Sequence, residues 1–462
     1  MKLFSTSGIR RKVSNLSPSF VMKVGLAISQ AFCKETNTDV FLARDARLSG
    51  PMLEHAICSG LIAGGSNVER KGILPTPALA YHTHKKNACA GIMLTASHNP
   101  PEYNGIKVFD QSSMGLSPED ETIIEKAIAE DNFSMVSWEN FGEDRQLVGS
   151  ALYEEMLHDA ASELNVDYFD LLIVDPGGGA GCEMITKVYQ ELGLNMLAIN
   201  STYDPYFSNR PSEPNQKNLQ QLIHFVQQRQ QKGNEKVIGL GYDGDADRCV
   251  AVDEKGRFVP LDVLVALYAR YVVEQSKKQK TFITHVDASM VIDKLVTEAG
   301  GVVQRTKVGD VAIGNMVAEK KAVFGGEPCG AWIHPSYHLC PDGPLTGLKI
   351  LEWVAERGPL YQLVDNVTDY PVYRSKVSCE NRFKKKVMAI LESKLSSEDS
   401  WQDLLTIDGF RLNYEDDSWV LIRPSGTEPY IRVTSQAMTK KAAEKRLTHY
   451  KTLLEQTIKS LS

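Results

Sequence analysis

No stretch of this chain is apolar for long enough to cross a membrane, a task that takes about 20 consecutive apolar residues. Basic excess is missing too. The formal charge of -7 at pH 7 argues against a general nucleic-acid binder, which carries a basic face. The opening MKLFSTSGIRRKVS has basic residues but no apolar core behind them, so it does not read as a secretory signal. There is no C-x-x-C pair. The eight cysteines stand at 33, 58, 89, 182, 249, 329, 340 and 379, several of them inside apolar runs. This pattern predicts reduced thiols in a cytoplasmic protein, with neither a disulfide frame nor a zinc site. No tract is of low complexity, and the Gln-rich stretch 227–232 reads as a solvated helix end.

What is present is alternation. The chain's 462 residues suit about three domains on size alone. Short apolar runs at 40–43, 171–174 and 282–286 read as strands. Each is followed by a stretch of helical periodicity, at 51–63, 183–192 and 289–299. Repeated strand-then-helix units predict mixed or parallel sheets covered by helices. Strands are also expected at 90–94, 236–240 and 249–252. The end of the chain differs: a helix at 380–395, short strands at 409–413, 419–422 and 431–434, then a basic helix from 439. That is an α+β module. Loss of periodicity over 132–149 puts one boundary near 145, with others near 252 and 367.

Three loops carry chemistry. The run 90–94 ends in Thr95-Ala96-Ser97-His98-Asn99-Pro100-Pro101, which continues neither as strand nor as helix because proline lacks the backbone donor and restricts its predecessor. Ser97 is thus presented on a stiff turn, expected to be exposed, with His98 beside it and Lys107 beyond. Next, Asp243-Gly244-Asp245-Ala246-Asp247-Arg248 sets three carboxylates on alternate residues around small ones, a hard oxygen donor set suited to Mg²⁺. The spacing imitates a calcium loop, but Arg248 stands where that loop needs glycine, and strand sequence follows. Finally, Arg423-Pro424-Ser425-Gly426-Thr427-Glu428-Pro429, with Arg432 after it, gathers guanidinium forks, hydroxyls and free backbone N–H groups that can wrap a phosphate. Weaker signals are Glu327 in the turn Gly325-Gly326-Glu327-Pro328-Cys329-Gly330, an acceptor for sugar hydroxyls, and Thr6-Ser7-Gly8-Ile9-Arg10 at the start.

In this order the motifs resemble the α-D-phosphohexomutases over nearly the whole chain. The resemblance implies four domains around a central cleft: 1–145 with the phosphoserine loop, 146–252 with the metal loop, 253–367 with the sugar loop and 368–462 with the phosphate loop. The first three are α/β with mixed sheets, and the fourth is α+β. It implies a phosphoserine at Ser97, with Mg²⁺ held by Asp243, Asp245, Asp247 and a phosphoryl oxygen on Ser97. Lys107 becomes a candidate general acid/base, with His98 beside the nucleophile and Arg10 and Arg248 as charge stabilisers. The sugar loop implies substrate contacts from Glu327 and Cys329. The far phosphate falls to Arg423, Ser425, Gly426, Thr427 and Arg432. The reaction implied interconverts hexose 6-phosphate and hexose 1-phosphate through a hexose 1,6-bisphosphate. Partners are then small hexose phosphates, with neither nucleic acid nor membrane, for a cytoplasmic monomer or homodimer.

The chain departs from the family at several points. Ser5 and Arg11 stand where glycines are usual. Cys329 replaces a serine hydroxyl by a thiol, a weaker hydrogen-bonding group. Ala331 stands where a histidine is usual, and Asp310 where some members place another. His334 or His338 is expected to substitute. Phosphoryl transfer is little touched by these changes, but the sugar is left open. Overall length favours glucosamine phosphate, with mannose and glucose phosphates as alternatives. A Mg²⁺-dependent phosphohydrolase and a non-catalytic sugar-phosphate binder are further readings; the intact serine and acidic loop speak against the second of these.

Overall fold

The computed structural model describes residues 2–5, 7–33, 38–231, 233, 236–277, 279–396, 401–426 and 428–461. Thr6, Lys232 and Thr427 lie outside the described residues. Four sheets follow one another along the chain. In the first, the strands Asp39–Arg44, Asn67–Ile73, Ala90–Leu94 and Asp144–Gln146 run parallel, while Tyr103–Phe109 and Ile9–Lys12 add an antiparallel edge. The second pairs Leu171–Asp175 in parallel with Met196–Ala198 and Val237–Tyr242, and closes with antiparallel Cys249–Val252. The third repeats that plan: Thr281–His285 is parallel to Val302–Thr306 and Phe324–Gly326, and the short strand Trp332–Ile333 turns back. The fourth, of five strands from Val372–Ser378 to Tyr430–Gln436, is antiparallel throughout.

The chemistry of each strand explains its place. Ala90–Leu94, Leu171–Asp175 and Val237–Tyr242 are buried at every residue. Strands covered by helices on both faces read as unbroken apolar runs, which is how they showed in the sequence. Helix starts are fixed locally. Ser289 accepts from the Val291 N–H ahead of Met290–Glu298, and Asp342 accepts from the Leu345 N–H ahead of Gly343–Arg357.

One buried apolar cluster runs from Phe41 through Tyr153 and Leu240 to Phe324 and Leu360, so it crosses the first three sheets. The fourth sheet has a core of its own, centred on Val387, Leu412, Ile422, Val433 and Leu454. It meets the third through a small patch in which Trp419 and Leu421 pack on Val286 and Met290. Arg411 adds hydrogen bonds to the carbonyls of Val286 and Ala288.

One expectation fails here. Cys33 and Cys89 form a disulfide, with Cα atoms 5.5 Å apart, while Cys58, Cys182, Cys249, Cys329, Cys340 and Cys379 are free thiols. Cys33 closes the helix Pro18–Phe32 and Cys89 precedes the strand Ala90–Leu94. The end of that helix lies beside the start of that strand, and a separation of 56 residues gives no local signal of it.

Candidate active site

The polar groups gather where chains leave the C-terminal ends of parallel strands, the usual place for ligand sites in such sheets. Asp45 and Arg47 follow Asp39–Arg44, Ser97 follows Ala90–Leu94, and Asp243 follows Val237–Tyr242. His285 ends Thr281–His285, and Glu327 follows Phe324–Gly326.

Ser97 is not exposed, contrary to expectation: it is 0% accessible. The acidic loop of the second sheet packs on its turn, and Gly244 is needed there because a Cβ would sit 2.7 Å from the Ser97 carbonyl oxygen. Ser97 lies in the left-handed region, at φ 50°. Its Oγ donates to Asp243 Oδ2 at 2.8 Å and lies 3.2 Å from His98 Nδ1. Burial, with Arg248 and Arg10 nearby, pushes the His98 imidazole down to about 2, so the ring is neutral at any working pH.

Asp243, Asp245 and Asp247 offer carboxylate oxygens that all lie within 4.8 Å of one another. The first sheet reaches across to them. Thr76 Oγ1 donates to Asp245 Oδ2 at 2.6 Å. Lys107 Nζ meets Asp245 Oδ2 at 2.7 Å and Asp247 Oδ2 at 2.6 Å. Burial and the charges of Asp247 and Asp245 hold Asp243 well above the usual carboxylate range. Burial works the same way on Asp245, but Lys107 outweighs it and holds that carboxyl below the range. Desolvation would lower Lys107, yet Asp245 and Asp247 raise it, so the ammonium stays charged. Oδ1 of Asp245 and Oδ1 of Asp247 are buried with no hydrogen-bond partner. Two orphan carboxylate oxygens beside a third acid fit a hard divalent cation.

A cavity of about 260 Å³ opens beside this cluster, lined among others by Arg10, His98, Arg248, His285, Asp310 and Glu327. Cys329 lines it too, and its thiol donates to Glu327 Oε2 at 3.8 Å. Glu327 Oε1 accepts from the Gly309 N–H at 3.1 Å and lies 3.8 Å from His285 Nε2. Burial and the neighbouring Asp310 push Glu327 up to about 7. Asp310 accepts from Ser7 Oγ at 3.2 Å. Arg10 reaches Asn99 Oδ1 at 3.5 Å, and its Nε is buried without a partner.

His334 and His338, the expected substitutes, are not in this cavity. His334 pairs with Thr346 Oγ1 at 3.0 Å and His338 with Asp342 Oδ2 at 2.7 Å, both among buried neighbours. The short strand Trp332–Ile333 carries them away from the cleft. The imidazoles that line the cavity are His98 and His285.

The phosphate loop stands apart. None of Arg423, Ser425, Gly426 and Arg432 lines the cavity. Arg423 Nε donates to Asp408 Oδ2 at 2.7 Å, and the same oxygen accepts from the Val308 N–H at 3.1 Å. Ser425 Oγ accepts from the Glu428 N–H at 3.1 Å, and Lys384 Nζ donates to the Ser425 carbonyl at 2.6 Å. A Cβ on Gly426 would meet nothing within 4 Å. Arg432 Nη2 leans on Tyr430 Oη at 3.3 Å. Arg423 is nonetheless close enough to bear on His285 electrostatically.

Sequence reasoning missed Thr76, His285, Lys384 and the Asp45–Arg47 pair. Thr76 and Lys384 sit in unremarkable helical sequence and carry no local signal. Asp45, Arg47 and His285 do carry one: each lies at or just past the C-terminal end of an apolar run already read as a strand.

Domain models of the phosphoglucomutase/phosphomannomutase family match most of the chain, in order. The alpha/beta/alpha domains I, II and III match residues 1–135, 151–256 and 260–370, and the C-terminal domain matches 376–449. The chain belongs to this family of phosphohexomutases and is an isomerase that transfers a phosphoryl group within its substrate. It is 41% identical over 449 residues to the phosphoglucosamine mutase of Methanococcus maripaludis, covering 96% of each chain. It is 39% identical over 465 residues to that of Methanocaldococcus jannaschii, covering 100% of each. Its fold matches a phosphoglucomutase/phosphomannomutase family protein from Burkholderia thailandensis at a TM-score of 0.85 and 24% identity, covering 99% of this chain and 97% of that one.

Proposed function

We propose that the chain interconverts glucosamine 6-phosphate and glucosamine 1-phosphate through a phosphate carried on Ser97. The observation behind the chemistry is the contact of Ser97 Oγ with Asp243 Oδ2 at 2.8 Å, beside two orphan aspartate oxygens. Asp243, Asp245 and Asp247 are the residues that would hold Mg²⁺, which supplies neutralisation of the phosphoryl oxygens. In the first half-reaction a sugar hydroxyl oxygen bonds to phosphorus while the Ser97 Oγ–P bond breaks, and the hydroxyl proton ends on Ser97 Oγ; the second half-reaction runs the same transfer in reverse. The product is a glucosamine 1,6-bisphosphate. It turns over in the cleft, and Ser97 Oγ then takes the other phosphate as that sugar oxygen leaves. Neutral His98, 3.2 Å from Ser97 Oγ, orients the serine hydroxyl. Lys107, held against Asp245 and Asp247, is the candidate general acid/base that relays the hydroxyl proton, as acid in one half-reaction and as base in the other. Arg10 and Arg248 supply positive charge at the cavity wall.

The sugar assignment rests on full-length identity to relatives named phosphoglucosamine mutase. Two carboxylates at one cavity, Asp310 and Glu327, also suit the ammonium of an amino sugar. Arg423, Ser425, Gly426, Thr427 and Arg432 anchor the phosphate that is not reacting. All of these residues belong to one chain, so a monomer or a homodimer serves equally. Charged sugar phosphates as substrates support a cytoplasmic location. The test is kcat/KM for glucosamine, mannose and glucose 1-phosphates, measured side by side with Mg²⁺ and the matching bisphosphate. Glucosamine phosphate is expected to lead by at least tenfold. A tenfold lead for either other sugar overturns the assignment.

A further inference from the structure

The turn that bears Ser97 contains two prolines, Pro100 and Pro101, and so is short of backbone donors with which to hold itself. One side chain makes up the shortage. Arg47, 0% accessible, lies beneath the turn. Its Nη2 donates to the carbonyls of Ser97 and Asn99, each at 2.7 Å. Its Nη1 donates to those of Pro100 at 2.7 Å and Tyr103 at 3.1 Å. Its Nε donates to Asp45 Oδ2 at 2.9 Å. A guanidinium has five N–H groups, and all five are thereby engaged.

Asp45 extends the arrangement to the other side of Ser97. It accepts from Thr95 Oγ1 at 2.7 Å, and Thr95 Oγ1 in turn accepts from the Ser97 N–H at 2.8 Å. Both the N–H and the C=O of the serine are therefore tied to one buried ion pair. The acidic-loop side of the site touches the same group. Ser212 Oγ donates to the Asn99 carbonyl at 2.9 Å, and the Phe207 ring lies 5.0 Å from the Arg47 guanidinium carbon.

We propose that Arg47 is the positioning residue for the nucleophile: it fixes Ser97 in its left-handed conformation, with Oγ aimed at the acidic loop, throughout a cycle in which that oxygen gains and loses a phosphate. Only a planar fork reaches four carbonyls at once, so lysine is no equivalent here. The proposal rests on Ser97 being the nucleophile. It assigns Arg47 no contact with substrate.

The test is Arg47→Lys, which keeps the charge opposite Asp45 but not the fork. A misplacement of about 1 Å costs on the order of a hundredfold in rate. We expect kcat to fall on that order, with KM for the hexose phosphate and the Mg²⁺ affinity within threefold of wild type. Single-turnover transfer of phosphate off Ser97 should slow in parallel. Ser212→Ala, which removes one donor to the same turn, should lower kcat roughly fivefold, again at unchanged KM. It decides the matter should Arg47→Lys not fold. Unchanged kcat in both variants, or a fall matched by loss of Mg²⁺ or substrate affinity, overturns the proposal. Ser97→Ala, run alongside, separates the two ideas: full activity there defeats the nucleophile itself, whereas an inactive Ser97→Ala with an unimpaired Arg47→Lys defeats only the positioning role.

Discussion

The Ser97–aspartate cluster and the Arg423–Pro429 loop are the two proposed phosphate sites, and they are held in different ways. Ser97, Asp243 and Asp245 are fully buried and are bound across two sheets by Thr76, Lys107 and the Ser97–Asp243 contact. The loop at Ser425 is half-exposed and is held almost wholly by neighbours in the C-terminal part of the chain, Lys384, Asp408 and its own backbone. The cores repeat the contrast, since the first three sheets share one apolar cluster and the fourth keeps its own. Chemistry at phosphorus needs atoms fixed to a fraction of an ångström, and interlocked buried groups give that. An anchor for a sugar that presents either end needs only a phosphate-shaped set of donors. Damage to the first region should therefore appear in kcat, and damage to the second in KM.

The largest break is expected at the nucleophile. Ser97→Ala should lower kcat by on the order of 10³-fold or more, measured with bisphosphate present. Because Ser97 is buried and hydrogen-bonded, the variant's Tm also needs checking, and a shift of only a few degrees is expected. Next comes Asp245→Asn. Loss of one acid from the donor set should weaken Mg²⁺ binding by calorimetry and cut kcat by about 10²-fold, with KM for the sugar changed far less.

Arg423→Ala tests the other region. Arg423 is partly exposed and paired with Asp408, so its loss should cost about 2 kcal/mol, near the lower end for a charged hydrogen-bonding partner. That is roughly thirtyfold in KM. The rise should be similar for glucosamine, mannose and glucose phosphates, because the role proposed for this arginine is to read phosphate and not sugar. A shift in sugar preference would erase the distinction between anchor and sugar loop.

Glu327 gives a smaller effect with a defined pH window. Its folded-state pKa, about 7, lies above its ordinary 4.5 because of burial and Asp310. The folded chain therefore holds a proton that the unfolded chain releases. Stability associated with this group is present below pH 4.5 and is lost as pH rises to about 7, by up to about 3 kcal/mol. Glu327→Gln should raise Tm relative to wild type above pH 7 and not below pH 4. Smallest in activity is the disulfide. Cys33→Ser should lower Tm, since closing a 56-residue separation is worth about 4 kcal/mol in the loop-entropy account, while kcat/KM stays within twofold.

Much of this was legible in the sequence, for physical reasons that differ by element. Fully buried strands such as 171–175 show as apolar runs because helices cover both faces. The acidic loop shows because three carboxylates on alternate residues are costly unless a cation or counter-charge meets them. What stayed hidden depends on approach between distant segments. The burial of Ser97 comes from a loop almost 150 residues further on, and the Cys33–Cys89 bond from a helix end meeting a strand start 56 residues away. His285 lines the cavity and His334 and His338 do not, because both follow the short strand Trp332–Ile333 and pack among buried neighbours. Arg47 looked like one charge among many until the donor-poor turn above it was seen.

The central claim is that Ser97 carries the phosphate between the two ends of the sugar. Its most direct measurement is peptide mass spectrometry of the wild-type enzyme charged with hexose 1,6-bisphosphate, then quenched before and after addition of unlabelled sugar monophosphate. The account predicts a phosphate on the peptide containing Ser97 before the addition, and its transfer to the sugar at a rate no slower than kcat. An unmodified Ser97 peptide throughout turnover, or a phosphate that the sugar never removes, would contradict it.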